Sequence, residues 1–135
     1  MSVKKKIIYL VTTKAITINL FFKDFIEKHD QKFEIRIICS DPSKLELNTQ
    51  LKKIKINFPT KISDFINLGK LLKLFCELSK IKNKLKNTTI LLNTPIASHI
   101  FRLYFFFSKL NFIYFVHGFR FTPNGKWYKN FFLKV

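Results

Sequence analysis

Three short apolar runs, rich in β-branched and aromatic residues, lie at residues 7–11, 89–92 and 112–116, and residues 33–39 read as a fourth strand. Continuous apolar runs of this length are typical of strands that are buried on both faces of a parallel sheet. A fifth segment, residues 54–57, alternates apolar and polar side chains. That alternation predicts a short strand nearer to a sheet edge.

Between these runs, apolar residues recur at helical spacing. Residues 17–29 place apolar side chains on one side and charges on the other, which predicts an amphipathic helix. Ser63 is expected to cap a second helix. The inner side of that helix is predicted to carry Phe65, Ile66, Leu68, Leu71, Leu72, Phe75 and Leu78. Thr94, followed by a proline, predicts the start of a third helix that runs to about Lys109, and residues 127–134 suit a last short helix.

Strands that alternate with helices in this way form βαβ units, which require a parallel sheet with helices on both faces. We therefore predict an α/β fold, a Rossmann-like parallel sheet flanked by helices. In such sheets ligands bind beyond the carboxyl ends of the strands. Three loops are expected there, at residues 12–16, 93–98 and 117–126.

The chain has 135 residues and is 47% apolar, which suits one globular domain and excludes intrinsic disorder. The sequence ends soon after the fifth predicted strand, so residues 1–135 are interpreted as one domain that is incomplete at its C-terminus. Two cysteines exclude a disulfide scaffold, and Cys39 and Cys76 are both expected to be reduced and buried. The most apolar window, residues 100–116, is interrupted by Arg102 and Lys109, which argues against a membrane-spanning helix.

The net charge is +17, from 25 Lys and Arg against 8 Asp and Glu. Residues 78–135 carry ten of these cations and no carboxylate. Such a field attracts phosphates on nucleic acid, on anionic lipid or on a nucleotide-linked substrate. A competing cause is the codon usage of an A/T-rich genome, because Lys, Ile, Phe and Asn are all abundant.

Several polar residues in the three loops are candidates for chemistry. His117 follows a predicted strand and is a candidate acid, base or polar anchor, or else a structural histidine bonded to a neighbouring carbonyl. Gly118 permits close approach of the backbone to a ligand. Thr13 and Lys14 offer hydroxyl, amide and ammonium groups to an anion, although the loop lacks the glycines of a dinucleotide or P-loop motif, and a solvated loop is the alternative. Ser98 is a candidate for contact with a hydroxylated ligand. No metal-ligand cluster is predicted.

Near the end of the chain, Lys126, Trp127 and Lys129 are interleaved with aromatic residues. This mixture favours contact with a membrane interface. It also suits stacking on single-stranded nucleic acid, and a third interpretation is packing against a further domain.

Three segments resemble the N-terminal domain of family 4 glycosyltransferases of the GT-B fold, and most of all the bacterial enzymes of capsule, O-antigen and exopolysaccharide synthesis. They are IIYLVTTKAITINLFF at residues 7–22, LLNTPIASHIFR at residues 91–102 and YFVHGFRF at residues 114–121. The resemblance implies retaining transfer of a sugar from a nucleotide-sugar to a saccharide acceptor that is commonly linked to polyprenyl diphosphate. It implies no cofactor, since the nucleotide-sugar is a co-substrate.

By this resemblance His117 is the catalytic histidine of the cleft, and Thr13 and Lys14 lie near the donor phosphates. The acceptor-binding side is assigned to Thr94, Ser98, Gly118 and Arg120. The chain departs from the family pattern at Asn93, where the family often has a histidine, so a ligand role for this residue does not carry over.

The family's C-terminal donor-binding domain is not among these 135 residues, so little or no activity is expected of the chain alone. The expected partners are the nucleotide-sugar, the lipid-linked acceptor, the anionic surface of the inner membrane and a separately encoded C-terminal half. The expected location is cytoplasmic and peripheral on the inner face of the bacterial cytoplasmic membrane. The alternatives are a non-catalytic basic module that binds anionic membrane or nucleic acid, and a decayed gene product.

Overall fold

Strands and helices alternate along the chain in the computed structural model, which describes residues 5–47 and 50–115. The strands are β1 (Lys6–Val11), β2 (Phe33–Cys39), β3 (Lys52–Lys55), β4 (Thr89–Leu92) and β5 (Asn111–Tyr114). The helices are α1 (Ala15–Phe21), α2 (Lys23–His29), α3 (Ile62–Ile66), α4 (Leu68–Leu85) and α5 (Pro95–Tyr104).

The described strands form one sheet in the order β3-β2-β1-β4-β5, and every adjacent pair is parallel. The prediction of an α/β, Rossmann-like sheet is therefore confirmed. From β1 the chain builds outwards to β2 and β3, and it then crosses to the other side of β1 to form β4 and β5. The carboxyl ends of β1 and β4 thus flank the point at which the strand order reverses, where ligands bind in open sheets of this kind.

Each face of the sheet carries its own hydrophobic core, because side chains alternate between the faces along a strand. Tyr9 and Val11 of β1 pack with the buried residues of α4 and α5. Leu10, which lies between them, packs with α1 and α2 on the opposite face. Helices therefore cover both faces, which explains why β1 and β4 read as continuous apolar runs.

The predicted bounds fit the central strands better than the edge strands. The structure places β2 and β4 at the predicted residues, whereas β3 begins two residues before the predicted segment 54–57 and β5 ends at Tyr114 rather than at residue 116. Pairing with the neighbouring strand, rather than the apolar pattern, sets these bounds. Lys52 and Lys53 pair with Arg36 and Ile37 in spite of their own charges.

The first predicted helix, at residues 17–29, is two helices in the structure. It starts earlier, at Ala15, and it is interrupted at Phe22, whose backbone leaves helical geometry (ψ −4°). Phe22 is buried in the core that α1 and α2 form with the sheet. The interruption thus allows one aromatic side chain to reach the interior.

The prediction for the second helix is wrong in two respects. Ser63 does not cap it, because α3 begins at Ile62, and the chain breaks again at Asn67, whose side-chain oxygen accepts a hydrogen bond from the Lys70 amide (3.1 Å) to cap α4. The inner side is also misplaced. The face of α4 that is buried consists of Leu74, Leu78, Ile81 and Leu85.

Among the residues predicted for that inner side, Leu78 alone is buried and Leu71 is half-buried, while the others are exposed. The segment has more apolar residues than one face can hold, so the pattern fits two helical registers. The spacing of Leu74, Leu78 and Ile81 is the one that faces the sheet.

Three further predictions concern the end of α5 and the burial of the two cysteines. Helix α5 ends at Tyr104 rather than near Lys109, because the following residue, Phe105, turns into the core and is 1% exposed. Cys39 is buried as expected, and burial raises the pKa of its thiol to about 11. Cys76 is exposed, so the prediction that it is buried is wrong; its position on α4 lies outside the buried face. The predicted helix at residues 127–134 lies outside the described residues.

Candidate functional site

Two of the predicted ligand loops meet at the carboxyl ends of β1 and β4. The Thr13 amide donates a hydrogen bond to Thr94 Oγ1 (3.0 Å), and the two hydroxyl oxygens lie 2.6 Å apart, one donating to the other. The backbone amide of Asn93 donates a hydrogen bond to Val11 O (3.0 Å), which extends the hydrogen-bond ladder between β1 and β4. We use the name rim cluster for Thr12, Thr13, Asn93 and Thr94. None of the four is charged.

Asn93 differs from the rest of the rim cluster because its side chain has no partner. Asn93 is 5% exposed, and neither Nδ2 nor Oδ1 makes a hydrogen bond with any of residues 5–47 and 50–115. A buried polar group that is left unpaired costs about 1–3 kcal/mol. Thr12, Thr13 and Thr94 each have a hydrogen-bond partner for the hydroxyl. The unpaired amide is therefore a local departure from otherwise complete hydrogen bonding.

Thr94 is the N-cap of α5, as predicted, but its side chain does not bond to the helix. The hydroxyl instead joins the two loops through Thr13. Ser98, one turn further along α5, is 2% exposed, and its hydroxyl donates to Thr94 O (2.7 Å). The donor of Ser98 is thus used inside the helix, and only the lone pairs of its oxygen are left for a ligand.

Lys14 is exposed immediately before α1. The sequence makes this loop a candidate for binding an external anion, with a solvated loop as the alternative, and the structure places a carboxylate of the chain at the helix terminus. The Ala15 amide donates to Asp41 Oδ1 at 2.7 Å. Negative charge is favoured at a helix N-terminus, and the Asp41 carboxylate occupies the position at which a bound phosphate would accept the same hydrogen bond.

An open groove of about 560 Å³ lies beside Lys14. Its charged lining consists of Lys14, Lys44, Asp41 and Glu46, so its formal charges cancel. A phosphate next to Lys14 would need further cations from elsewhere to be held firmly.

Most of the other predicted site residues lie outside the described part of the chain: His117, Gly118, Arg120, Lys126, Trp127 and Lys129. The description reaches Phe115, whose amide donates to Leu92 O (2.8 Å). The carboxyl end of β5 therefore lies on the same side of the sheet as the carboxyl ends of β1 and β4, where the rim cluster is found.

A second polar cluster spans β1, β2 and β3, and it contains Tyr9, Glu34, Arg36 and Lys52. We call it the ionic cluster. Arg36 donates to the buried Tyr9 hydroxyl (2.7 Å), and through Nε and Nη2 to Glu34 Oε1 (3.0 and 2.7 Å). Lys52 donates to the same carboxylate oxygen (3.0 Å). Hydrogen bonds from Arg36 and Lys52 hold the pKa of Glu34 below its usual value.

Lysines also line a cavity of about 400 Å³ between the end of β3 and the start of α4. Lys55, Lys70 and Lys73 contribute to it, together with Asp64. Lys70 and the amides of residues 60 and 61 bond to the Asp64 carboxylate, which lowers its pKa to about 2. The acid is therefore ionised and paired, and the cavity keeps a net positive lining.

Two residues that matter here were not assigned a role from the sequence. Asp41 lies in the turn after β2 and was not among the predicted site residues. Asn93 lies in a predicted ligand loop, and in the structure Val11 pairs with Leu92, so Asn93 follows β4 at the level at which Thr12 follows β1.

Within the described ranges, no three His, Cys, Asp or Glu side chains come together as a metal-binding group. No helix of the same part of the chain has the length and apolar character needed to cross a bilayer. Comparisons with protein-family models, curated proteins and solved structures give no match to this chain.

Proposed function

We propose that this chain forms the N-terminal, acceptor-side half of a retaining glycosyltransferase of cell-surface polysaccharide synthesis. The observation that carries the proposal is the contact between Thr13 and Thr94 at the reversal point of the strand order. Both residues belong to segments that resemble the family 4 enzymes. The contact brings two of those three segments to the edge where α/β sheets bind ligands.

The polarity of the site supports a sugar as the substrate portion that is bound there. The rim cluster consists of three hydroxyls and one amide, and these groups donate and accept hydrogen bonds without charge. Lys14 lies next to them and is exposed, so it is available to the phosphates of a nucleotide-sugar. A neutral site with one adjacent cation matches a sugar joined to a phosphate better than it matches an extended polyanion.

In the proposed reaction the leaving group is a nucleoside diphosphate, whose growing negative charge has to be stabilised. The groove beside Lys14 has no net charge, so this chain supplies only part of that stabilisation. By the resemblance, the remaining cations belong to the donor-binding half, and His117 lies beside the transferred sugar. The chain's described residues would mainly hold and orient the acceptor.

The test is sugar transfer from labelled nucleotide-sugars to membranes that contain lipid-linked acceptors, with and without a donor-binding half supplied in trans. We expect transfer only with both halves, and we expect Thr13→Val and Thr94→Val to lower it at least tenfold through misplacement of the two loops. Thr60→Val is the matched control, because Thr60 is exposed and its hydroxyl makes no described hydrogen bond. Full activity of the 135 residues alone, or unchanged transfer by both variants, would contradict the proposal.

A membrane-binding role is supported by a different observation. Exposed apolar side chains follow α3 and the first turns of α4, namely Ile62, Phe65, Ile66, Leu68, Leu72 and Phe75. Lys61, Lys70 and Lys73 lie among them, and Asp64 is the only acid between residues 60 and 76. Apolar side chains interspersed with lysines suit the surface of an anionic bilayer, which supports a peripheral position at the inner face of the cytoplasmic membrane.

Vesicle flotation tests this role. The chain should float with phosphatidylglycerol vesicles and not with phosphatidylcholine vesicles, and Ile66→Ser should weaken flotation more than Leu20→Ser. Leu20 is a fair control, since it is also exposed but lies on α1, across the sheet. Binding to single-stranded DNA with the same salt dependence, unaffected by Ile66→Ser, would instead indicate unspecific charge attraction.

A further inference from the structure

The side-chain amide of Asn93 is the feature of the described structure that its fold explains least. Its two polar atoms are inaccessible to water and have no hydrogen-bond partner in the part of the chain that the structure describes. We infer that this amide is a binding group for a neutral, hydroxyl-bearing ligand; the identification of that ligand as the sugar of the substrate rests on the proposed function.

The first argument is the contrast with its neighbours. Buried polar groups in native proteins are nearly always paired, and the exceptions concentrate at functional positions. The Thr12 hydroxyl bonds to Lys14 O, the Thr13 and Thr94 hydroxyls bond to each other, and the Ser98 hydroxyl bonds to Thr94 O. Among the buried side-chain polar atoms that the structure describes, those of Asn93 alone lack a partner. An apolar residue of the same shape would avoid the unpaired amide, so packing alone does not explain it.

The second argument is the position of the side chain. Ile90 and Leu92 of β4 pack in the core beside α4 and α5, whereas Leu91 packs against the core on the α1 and α2 side. By the alternation of strand side chains, Asn93 belongs to the same face as Leu91. That position lies at the carboxyl end of β4, next to β1, where the strand order reverses.

The third argument is chemical. A primary amide offers two N–H donors and one carbonyl acceptor, and a hydroxyl both donates and accepts, so the two groups pair without any change of charge. No member of the rim cluster carries a charge, and burial disfavours an ion without a counter-ion. A hydroxyl group of a neutral ligand therefore fits this position, and a phosphate does not.

The burial of the amide adds a condition. Water does not reach Nδ2 or Oδ1 in the described fold, so a ligand reaches them only if the edge opens. The bonds between Thr13 and Thr94 hold the two loops together there, and they involve a side chain in each case. Opening thus requires loss of these bonds and leaves the backbone ladder of β1 and β4 in place.

The experiment follows the side-chain amide signals of the ¹⁵N-labelled full chain during titration with methyl α-glucopyranoside. We expect the Asn93 side-chain signals to shift in a saturable way. The amides of Asn19 and Asn57 serve as internal controls, because they already bond to Lys44 O and to Glu77, and their signals should stay in place. Inorganic phosphate at matched ionic strength should leave the Asn93 signals unchanged. Unshifted Asn93 signals at the highest sugar concentration, or equal shifts with phosphate, would overturn the inference.

A pair of variants tests the same point independently. Asn93→Leu removes the amide at nearly constant size, so it should raise the melting temperature and weaken sugar binding about tenfold or more, as loss of one or two hydrogen bonds predicts. Asn57→Leu, which removes an exposed amide, should leave sugar binding unchanged. Retained binding in Asn93→Leu, or a lower melting temperature, would count against the inference. If Asn93→Leu does not fold, the stability expectation has failed, and Asn93→Gln then tests binding alone, because it keeps the amide and displaces it by one methylene; unchanged binding in Asn93→Gln would overturn the inference.

The outcome is separable from that of the proposed function. Sugar-dependent shifts without any glycosyl transfer would keep the binding role of Asn93 and reject the transferase. Transfer that is indifferent to Asn93→Leu would keep the transferase and reject the role of Asn93.

Discussion

The ionic cluster and the rim cluster show two ways in which one sheet accommodates polar groups. In the ionic cluster, Arg36 links the buried Tyr9 hydroxyl to Glu34, and Lys52 donates a further hydrogen bond to the Glu34 carboxylate. In the rim cluster, Asn93 is buried and its amide is unpaired. The first arrangement is what stability alone favours. The second leaves a buried amide without a partner, and by our inference a ligand supplies that partner.

Replacing a polar side chain by an apolar one of similar size should therefore change the free energy of unfolding in opposite directions in the two clusters. We expect Arg36→Met to destabilise the fold by about 2 kcal/mol, because the buried Tyr9 hydroxyl loses its charged partner. Asn93→Leu should stabilise it by about 1 kcal/mol. Both are measured by urea unfolding. The double variant Tyr9→Phe/Arg36→Met should recover part of the loss, since no stranded hydroxyl remains; a loss as large as that of Arg36→Met would contradict this reading of the ionic cluster.

Within the rim cluster, the threonine pair should behave like the ionic cluster rather than like Asn93. Thr94→Val removes the acceptor of the buried Thr13 amide and should cost about 1–2 kcal/mol in the free energy of unfolding. Thr94→Ser keeps the hydroxyl and should cost less. Equal losses in the two variants would show that the methyl group, and not the hydroxyl, stabilises this edge.

The smallest expected effect is that of pH. The pKa of Glu34 is lowered in the fold, so its contribution to stability is present above its ordinary value of 4.5 and is lost as pH falls through the lowered value. Glu34→Gln should therefore destabilise the fold at about pH 7, by less than about 1 kcal/mol because the pair is partly exposed, and its effect should shrink at about pH 3. Thr94→Val touches no titratable group and should cost the same at both. A Glu34→Gln effect that grows in acid would contradict the assigned ion pairs.

The sequence was sufficient to predict the strands that are buried on both faces of the sheet. The strand β4 has the predicted bounds because helices cover both of its faces and its residues are apolar or small, and β2 has them although Glu34 and Arg36 interrupt its apolar residues. The edge strand β3 is charged at three of its four positions, so its bounds depend on pairing with β2, which no local pattern displays.

The orientation of α4 could not be read from the sequence because Leu68, Leu72 and Phe75 form an apolar stripe as regular as the buried one. Which stripe faces the sheet depends on packing over the whole layer. The site was predicted at the level of loops and not of atoms. Thr94 looked like an ordinary helix cap, and its bond to Thr13 joins residues 81 positions apart in the chain.

The bond from Ala15 to Asp41 has a mechanical consequence for this edge of the sheet. With the bond from the Ser40 amide to Thr13 O (3.1 Å), it anchors the loop after β1 to the end of β2 through backbone amides. The loop after β4 is held to the same place by a pair of threonine side chains. Residues 13–15 are thus tied to the carboxyl ends of β2 and β4 at the same time, so the position of the loop after β1 is coupled to both neighbouring strands.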